Sequence, residues 1–226
     1  MKDCIGDLII KGSGNSAGGN FKTVNIKGNG KIDGNIECNI INIEGRGNVY
    51  GNLKAKTVQI KGNSTIKGRC QATDMDIQGS ADFGDDVSIG DINAKGRINI
   101  NGNFDAEKFH MEGAFKIRGL LNAGELELNL HGPSEAREIG GEKITVKREG
   151  RFIFPRIDKL IKTFGFNTCL LSDVIEGDEI YLEYTTAKII RGNNIELGPG
   201  CEIELIEYKN SYKQDEKSVV TNSKKK

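Results

Sequence analysis

A 17-residue repeat constrains this chain more than any other feature. Stepping by 17 from Val24, one column reads Val24, Ile41, Val58, Met75, Ile92, Phe109, Leu126. Two positions on, a second reads Ile26, Ile43, Ile60, Ile77, Ala94, Met111, Leu128. A third is Ile32, Val49, Ile66, Phe83, Ile100, Ile117, Ser134, and a fourth Ile36, Leu53, Cys70, Val87, Phe104, Leu121, Glu138. Of these 28 positions 26 are apolar, where an apolar content of 36% gives about ten. Self-similarity at a fixed period marks a solenoid, in which each repeat is one unit that cannot bury its apolar side alone. The register predicts seven turns without an insertion.

Within a turn the inward positions alternate from 24 to 38, then step by three to 41. Alternation is the strand period, because successive side chains of a strand point to opposite faces. Two columns are nearly pure glycine: Gly28, Gly45, Gly62, Gly79, Gly96, Gly113, and Gly34, Gly51, Gly68, Asp85, Gly102, Gly119. Glycine accepts positive φ and close backbone approach, so each column marks a corner. The extra residue near 39–40 supplies a third. The inner column Cys38, Ala55, Ala72, Ile89, Ala106, Ala123 is mostly small, as a narrow interior beside a corner requires. Outside, Lys27, Glu44, Lys61, Gln78, Lys95 and Glu112 alternate so that like charges are never adjacent, which facing strands reward. The fold class is all-β: a parallel, triangular β-helix with 17-residue coils. Leu8 and Ile10 precede Val24 and Ile26 by a step of 16, and Ile144 and Val146 follow Leu126 and Leu128 by a step of 18, so the end coils are irregular.

Five segments are expected: a tail over 1–7, the β-helix over 8–150, an amphipathic helix or linker over 151–171, a second β block of about two turns over 172–208, and a disordered tail over 209–226. Ile157, Leu160, Ile161 and Phe164 have helical spacing after Pro155. With Phe152 and Phe154 they form the apolar side of a lid over the solenoid or of a weak membrane-surface contact. Ile180 and Leu182 recur 15 on as Ile195 and Leu197, and Ala187 and Ile189 recur 16 on as Ile203 and Leu205. The tail is polar and ends in Lys224, Lys225 and Lys226, a composition that buries nothing.

Composition bears on function mainly by exclusion. Thirty-two basic and thirty-two acidic residues leave no net charge, so no overall field draws the chain to nucleic acid. The five cysteines form no CxxC pair, and MKDCIGDLII lacks the apolar run of a signal peptide. A reduced, cytoplasmic protein is expected, with the inner face of the membrane as an optional location. No catalytic, cofactor or metal site is expected. His110 lies in an outward column with Asn25, Asn42, Gln59, Asp76 and Asn93, and His131 precedes Gly132-Pro133 in a loop. Asp82, Asp85 and Asp86 read as a turn ahead of a weak cation site. Cys38 and Cys70 point inward as small core residues.

The run GNGKIDGNIECNIINIEGRGNVYGN resembles the bactofilins, bacterial polymer-forming cytoskeletal proteins, with the repeat pattern covering residues 8–146. KGSGNSAGGNFKTVNIKGNGKIDGNI and IEGDEIYLEYTTAKIIRGNNIELGPGCEIELIEY are similar to the two conserved blocks of a branch found in Firmicutes. The resemblance implies a right-handed helix, head-to-tail polymers without nucleotide, and a scaffold for morphogenetic or envelope proteins. End coils agree with it, because an uncapped coil exposes unpaired backbone and an open apolar layer. The candidate polymer interface comprises Leu8, Ile10, Val24, Ile26, Leu126, Leu128, Ile144 and Val146. Two other readings stand beside the scaffold: a non-polymerising binding module capped by the second block, and an acyltransferase-like β-helix enzyme. The 17-residue period speaks against the enzyme, since such enzymes carry a six-residue repeat.

Overall fold

A computed structural model describes residues 6–148 and 169–226. It divides into two compact units, residues 1–108 and 109–226. The first contains β1 (Asp7–Val49), β2 (Leu53–Ile66), β3 (Cys70–Phe83), β4 (Val87–Ile100) and the start of β5 (Phe104–Leu130). The second contains the rest of β5, β6 (Ser134–Arg148), β7 (Leu170–Leu182), β8 (Thr185–Leu197), β9 (Glu202–Gln214) and β10 (Val219–Lys225). In each unit strand order follows chain order and the pairing is parallel, the signature of a β-solenoid.

In the first unit the 17-residue register holds from β1 to β4: Val58 lies between Ile41 and Met75, and Ile60 between Ile43 and Ile77. Val24, Ile26, Ile41, Ile60 and Ile77 are all at or below 1% exposure, so each aliphatic rests on its counterpart. Burying one such side chain is worth roughly 1.5–3 kcal/mol. The leading coil keeps the expected offset of 16, with Lys22 N–H donating to the Gly6 carbonyl at 2.8 Å.

The two glycine columns turn their corners by different physics. In the first, φ runs from +112° at Gly45 to +142° at Gly113, and a Cβ at Gly62, Gly79 or Gly96 would lie 2.0–2.2 Å from the glycine carbonyl oxygen one coil back. In the second, only Gly34 has positive φ, and close approach excludes side chains at Gly51, Gly68 and Gly102. An Asn/Asp ladder runs beside it. Asn52 N–H donates to Asn35 Oδ1 at 2.8 Å, Arg69 N–H to Asn52 Oδ1 at 2.9 Å, and Asn103 N–H to Asp86 Oδ1 at 2.9 Å. These side chains satisfy backbone donors that the corner removes from the sheet.

One inner column carries a packing device that apolar counting overlooks. Positions 30, 47, 64, 81 and 98 read Gly, Gly, Ser, Ala, Ile, beside Ile26, Ile43, Ile60, Ile77 and Ala94. A Cβ on Gly30 would meet Ile26 Cγ2 at 2.6 Å, and one on Gly47 would meet Ile43 at 2.8 Å. Where the second column shrinks to Ala94, the first grows to Ile98, keeping layer volume constant as dense packing requires. Ala94→Ile alone should therefore overpack the layer by about 1–3 kcal/mol. Adding Ile98→Ala should recover part of that loss, and a double-mutant cycle by urea denaturation reads the coupling.

The second unit departs from the expectations in three places. Between β5 and β6 the register slips to 19 and then 18, with a bulge between Ile117 and Leu120. Insertions thus enter before the seventh turn is complete. Ala136 and Ile139, not Ser134 and Glu138, occupy the third and fourth inner columns opposite Ile117 and Leu121. Ser134 is buried for another reason: its hydroxyl accepts from Phe115 N–H at 3.1 Å. Secondly, β7 pairs directly with β6, Ile180 on Ile144 and Leu182 on Val146, so the second block continues the stack of its unit. The offsets of 15 and 16 then appear as expected from β7 to β9. Thirdly, 209–226 is no disordered tail. It completes β9 and forms β10, whose Val219–Lys225 pair with Glu202–Tyr208. Backbone ladder bonds and ion pairs hold this segment without much apolar burial, which is why its composition misleads.

The expected helix, and with it Phe152, Phe154, Ile157, Leu160, Ile161 and Phe164, lies outside the described residues. Among the described residues no helix is long and apolar enough to cross a membrane.

Candidate functional site

Six of the eight expected interface residues are interior. Val24, Ile26, Leu126, Leu128, Ile144 and Val146 are fully buried between coils of their own unit. Leu126 is covered by Ile144, Ile144 by Ile180, Ile180 by Ile195 and Ile195 by Tyr212. The parallel column runs Leu128, Val146, Leu182, Leu197, Gln214. The region 126–146 therefore offers no open face. From Ile144 the stack resumes at Ile180, a step of 36 that no fixed period predicts.

Leu8 and Ile10 do lie in the leading coil of the first unit. Ile10 is buried, Leu8 half-buried, and Ile9 between them points outward at 57% exposure. The rest of that coil, GSGNSAGGN, is small and polar. In the second unit Tyr212 is half-buried and Gln214 exposed at the last members of their columns, and the Tyr212 hydroxyl bonds to Gln214.

β10 lies over β9 with an offset of 17, placing Val220 on Ile203, Asn222 on Leu205 and Ser223 on Ile206. Apolar residues are thus met by mostly polar ones. Ser218 anchors the strand: its hydroxyl accepts from Cys201 N–H at 2.9 Å and donates to the Gly198 carbonyl at 2.6 Å. Glu207, 14% exposed, binds Lys226 Nζ at 2.7 Å and Arg191 Nε at 2.9 Å. Hydrogen bonds from Lys226 and Arg191 hold the Glu207 carboxyl below its ordinary value of 4.5. A carboxyl lowered in the folded state stabilises above its ordinary value and loses that contribution as pH falls through the folded one. β10 amides should accordingly show lower hydrogen-exchange protection factors at pH 3 than at pH 6, with β8 amides unchanged. Equal losses in both strands would remove this role from Glu207.

The chemistry sought elsewhere resolves into structure. His110 lies against Glu127 at 3.2 Å and Glu112 at 3.4 Å on the outward face. Asp82 accepts from Asn99 Nδ2 at 2.6 Å, Asp85 from Asp86 N–H at 2.8 Å, and Arg69 Nε lies 3.7 Å from Asp85. Among the described residues no group of three or more His, Cys, Asp or Glu is placed to hold a metal. Cys38, Cys70, Cys169 and Cys201 are buried, and burial pushes the Cys70 thiol up to about 12, far from a reactive thiolate. Cys201 Sγ meets the Leu182 carbonyl at 3.2 Å. A groove of about 360 Å³ runs along the second unit between the outward ladders of Lys143, Glu179, Asn194, Ser211 and Thr145, Tyr181, Glu196, Lys213. Along it Asn194 Nδ2 donates to Glu179 at 2.6 Å and Ser211 Oγ to Asn194 at 2.8 Å.

What distinguishes this molecule is therefore stacked coils rather than a pocket. Residues 3–87 match the bactofilin family model, described as polymer-forming cytoskeletal. These residues resemble a bactofilin domain. The match takes in β1 to β3 and the first residue of β4, all within the first unit. Two curated relatives, both from Bacillus subtilis strain 168, are described as uncharacterized. YhbF is 48% identical over 91 residues, 40% of this chain and 34% of its own length. YhbE is 39% identical over 112 residues, 49% of this chain and 44% of its own length. The chain thus spans less than half the length of either. No solved structure matches it significantly. The bactofilin family is a structural, cytoskeletal one, and the domain's most regular part coincides with the fixed 17-residue register.

Proposed function

We propose that this chain is a structural scaffold, a cytoplasmic bactofilin-like protein that assembles head to tail into nucleotide-independent polymers and recruits morphogenetic or envelope proteins through its outer columns. The observation that carries the reading is the leading coil of the bactofilin domain. It presents half-buried Leu8 and outward Ile9 on a strand with no described strand beyond it. Such an edge offers a row of backbone donors and acceptors to another chain. A contact between unlike faces does not close, so it propagates. Negative-stain microscopy and sedimentation velocity at micromolar concentration test this: filaments or a concentration-dependent series of oligomers are expected, and a strictly monomeric protein contradicts it. Leu8→Lys puts a charge on the half-buried leading layer and should shorten or abolish the assemblies.

The polar inner positions of β10 favour a second reading, a binding module in which that strand caps the stack, as solenoid ends commonly require. A monomer at all concentrations selects it. Peripheral membrane contact through Phe152, Phe154, Ile157, Leu160, Ile161 and Phe164 is a separable part of either reading, and co-sedimentation with anionic liposomes tests it directly.

A further inference from the structure

The groove of the second unit has two unlike walls, one tied up in its own bonds and the other open. On the first, Lys143 Nζ binds Glu125 at 2.7 Å, Asn194 Nδ2 donates to Glu179 at 2.6 Å, and Ser211 Oγ donates to Asn194 at 2.8 Å. On the second, Thr145, Glu196 and Lys213 make no side-chain hydrogen bond or ion pair with any described residue. Glu196 even stands opposite Lys213 on the next rung without pairing to it. Tyr181 lies between Thr145 and Glu196 in the same column and, unlike them, is fixed. Its hydroxyl donates to Glu183 Oε1 at 2.7 Å, and Gly198 makes room for it, since a Cβ there would lie 2.7 Å from the hydroxyl oxygen. Burial, and after it the Glu183 hydrogen bond, pushes that hydroxyl up to about 12, so it stays a neutral donor. The ring thus keeps one position beside the groove, with its polar end engaged by Glu183.

We propose that this groove binds a short, neutral, extended oligosaccharide, one sugar ring resting on Tyr181 and its hydroxyls bonding Thr145, Glu196 and Lys213. Charge argues for a neutral ligand: two lysines and two glutamates line the groove, so no net field draws an ion there. The unused groups are a hydroxyl, a carboxylate and an ammonium, a mixture of donors and acceptors that suits hydroxyls, which do both. A peptide fits less well. The groove runs across the strands, and its floor is the backbone at Ile144, Ile180 and Ile195, already paired in the parallel ladder on either side. An entering peptide finds no free N–H or C=O to pair with, whereas a sugar needs only side chains. Dimensions agree. From Thr145 to Lys213 the column climbs three rungs, about 14 Å at about 4.8 Å each. The volume of about 360 Å³ falls near the lower end of ligand sites, on the order of 300–1,000 Å³. A sugar ring packs its C–H face against an aromatic body while its hydroxyl edge stays polar, the division that tyrosine itself shows. Because the column is straight, a chain with the flat, extended linkage of cellulose follows it, and one with the coiling linkage of amylose does not. This site is independent of the assembly contact proposed above.

Saturation-transfer NMR on the full chain reads the contact in monomers and assemblies alike. Cellotetraose at millimolar concentration should take up saturation, most strongly at its ring C–H protons, and maltotetraose should take up little. Glu196 and Lys213 are exposed, so Glu196→Ala and Lys213→Ala leave the interior alone. Each should weaken binding about two- to tenfold, the worth of one hydrogen bond. Tyr181→Leu should weaken it by about tenfold or more, whereas Tyr181→Phe, which keeps the ring, should retain most of it. Circular dichroism checks that every variant is folded. Absence of saturation in cellotetraose would overturn the proposal, and so would equal saturation of maltotetraose. A signal that survives both Tyr181→Leu and Glu196→Ala unchanged would place the sugar elsewhere and overturn it too. Binding of an acidic or a lysine-rich peptide, lost in Glu196→Ala and accompanied by no sugar contact, would make the groove a peptide site instead. None of these results bears on the scaffold reading, which sedimentation tests separately.

Discussion

Gly79→Val should leave the first unit unable to fold at physiological temperature. Two penalties coincide at this residue. Its φ of +134° is a conformation that a β-branched side chain adopts only with strain, at a cost of order 1–3 kcal/mol. The new Cβ would also lie 2.1 Å from the Gly62 carbonyl oxygen, a backbone atom fixed by the ladder on both sides. Relief requires the corner of one coil to move away from the coil beneath, and the neighbouring corners at Gly62 and Gly96 are locked by the same contact. A total loss of at least about 4 kcal/mol is expected, in the exceptional range for single substitutions. Urea denaturation followed by circular dichroism reads it. Gly102→Ala makes a useful comparison: its Cβ would crowd Asp86 Oδ1 at 2.4 Å and the Asp86 nitrogen at 2.7 Å, but Gly102 lacks positive φ, so a smaller loss, from close approach alone, is expected there.

Ile60→Asp should be at least as damaging, by a different route. Ile60 is 0% exposed and sits between Ile43 and Ile77, each also inside. A carboxylate there has no donor, and an unpaired charge cannot be buried, so the group must take up a proton or unfold its surroundings. The local loss of about 2–5 kcal/mol from the missing aliphatic adds to that. Because coils of a solenoid are stabilised by their neighbours, opening one layer also withdraws support from the coils of Ile43 and Ile77. The expected result is a first unit that is unfolded or exchanges its β2 and β3 amides rapidly. Ile60→Val, which keeps the shape and the apolar character, should cost only about 0.5–1.5 kcal/mol. Similar behaviour of the two variants would contradict an inward Ile60.

The first unit was legible in the sequence because every level of information agrees there. Apolar columns, glycine corners and charge alternation all share one period, and Lys27 Nζ indeed lies 3.2 Å from Glu44. The second unit was only partly legible. Its columns persist, but the steps from coil to coil are 19, 18, 36, 15, 16 and 17, so no single period carries them. Ser134 and Glu138 were assigned to inner columns only because a fixed step lands on them.

β10 was missed on different grounds. Its order comes from backbone pairing, from Ser218 and from the Glu207–Lys226 contact at 2.7 Å, none of which has a hydropathy signature. The volume exchange between Ala94 and Ile98 was equally hidden, because counting residues as apolar discards their size. At the candidate site, Leu8 and Ile10 could be placed from the offset of 16. Tyr212 and Gln214, the last members of the second unit's columns, could not, since a half-exposed tyrosine and a glutamine do not announce an apolar column. Tyr184 is the other surprise: a non-glycine residue at φ +46°, with the Arg148 guanidinium 4.5 Å from its ring centre. The cation over the ring favours that corner, as cation–π contacts contribute about 0.5–2 kcal/mol.

Everything in the first unit depends on outward positions one 17-residue step apart being vertical neighbours. Spin labels attached through single cysteines at pairs drawn from Lys27, Lys61 and Lys95, with distances read by pulsed electron resonance, test this most directly. Glu44, Lys61, Gln78 and Lys95 pair successively in register. With a rung of about 4.8 Å, backbone separations of about 10 Å for two coils and about 19 Å for four are expected, rising linearly with the number of coils. A label pair at 27 and 95 lying farther apart than four rungs and two label tethers can span, or distances that do not scale with coil number, would contradict the stacked 17-residue coil.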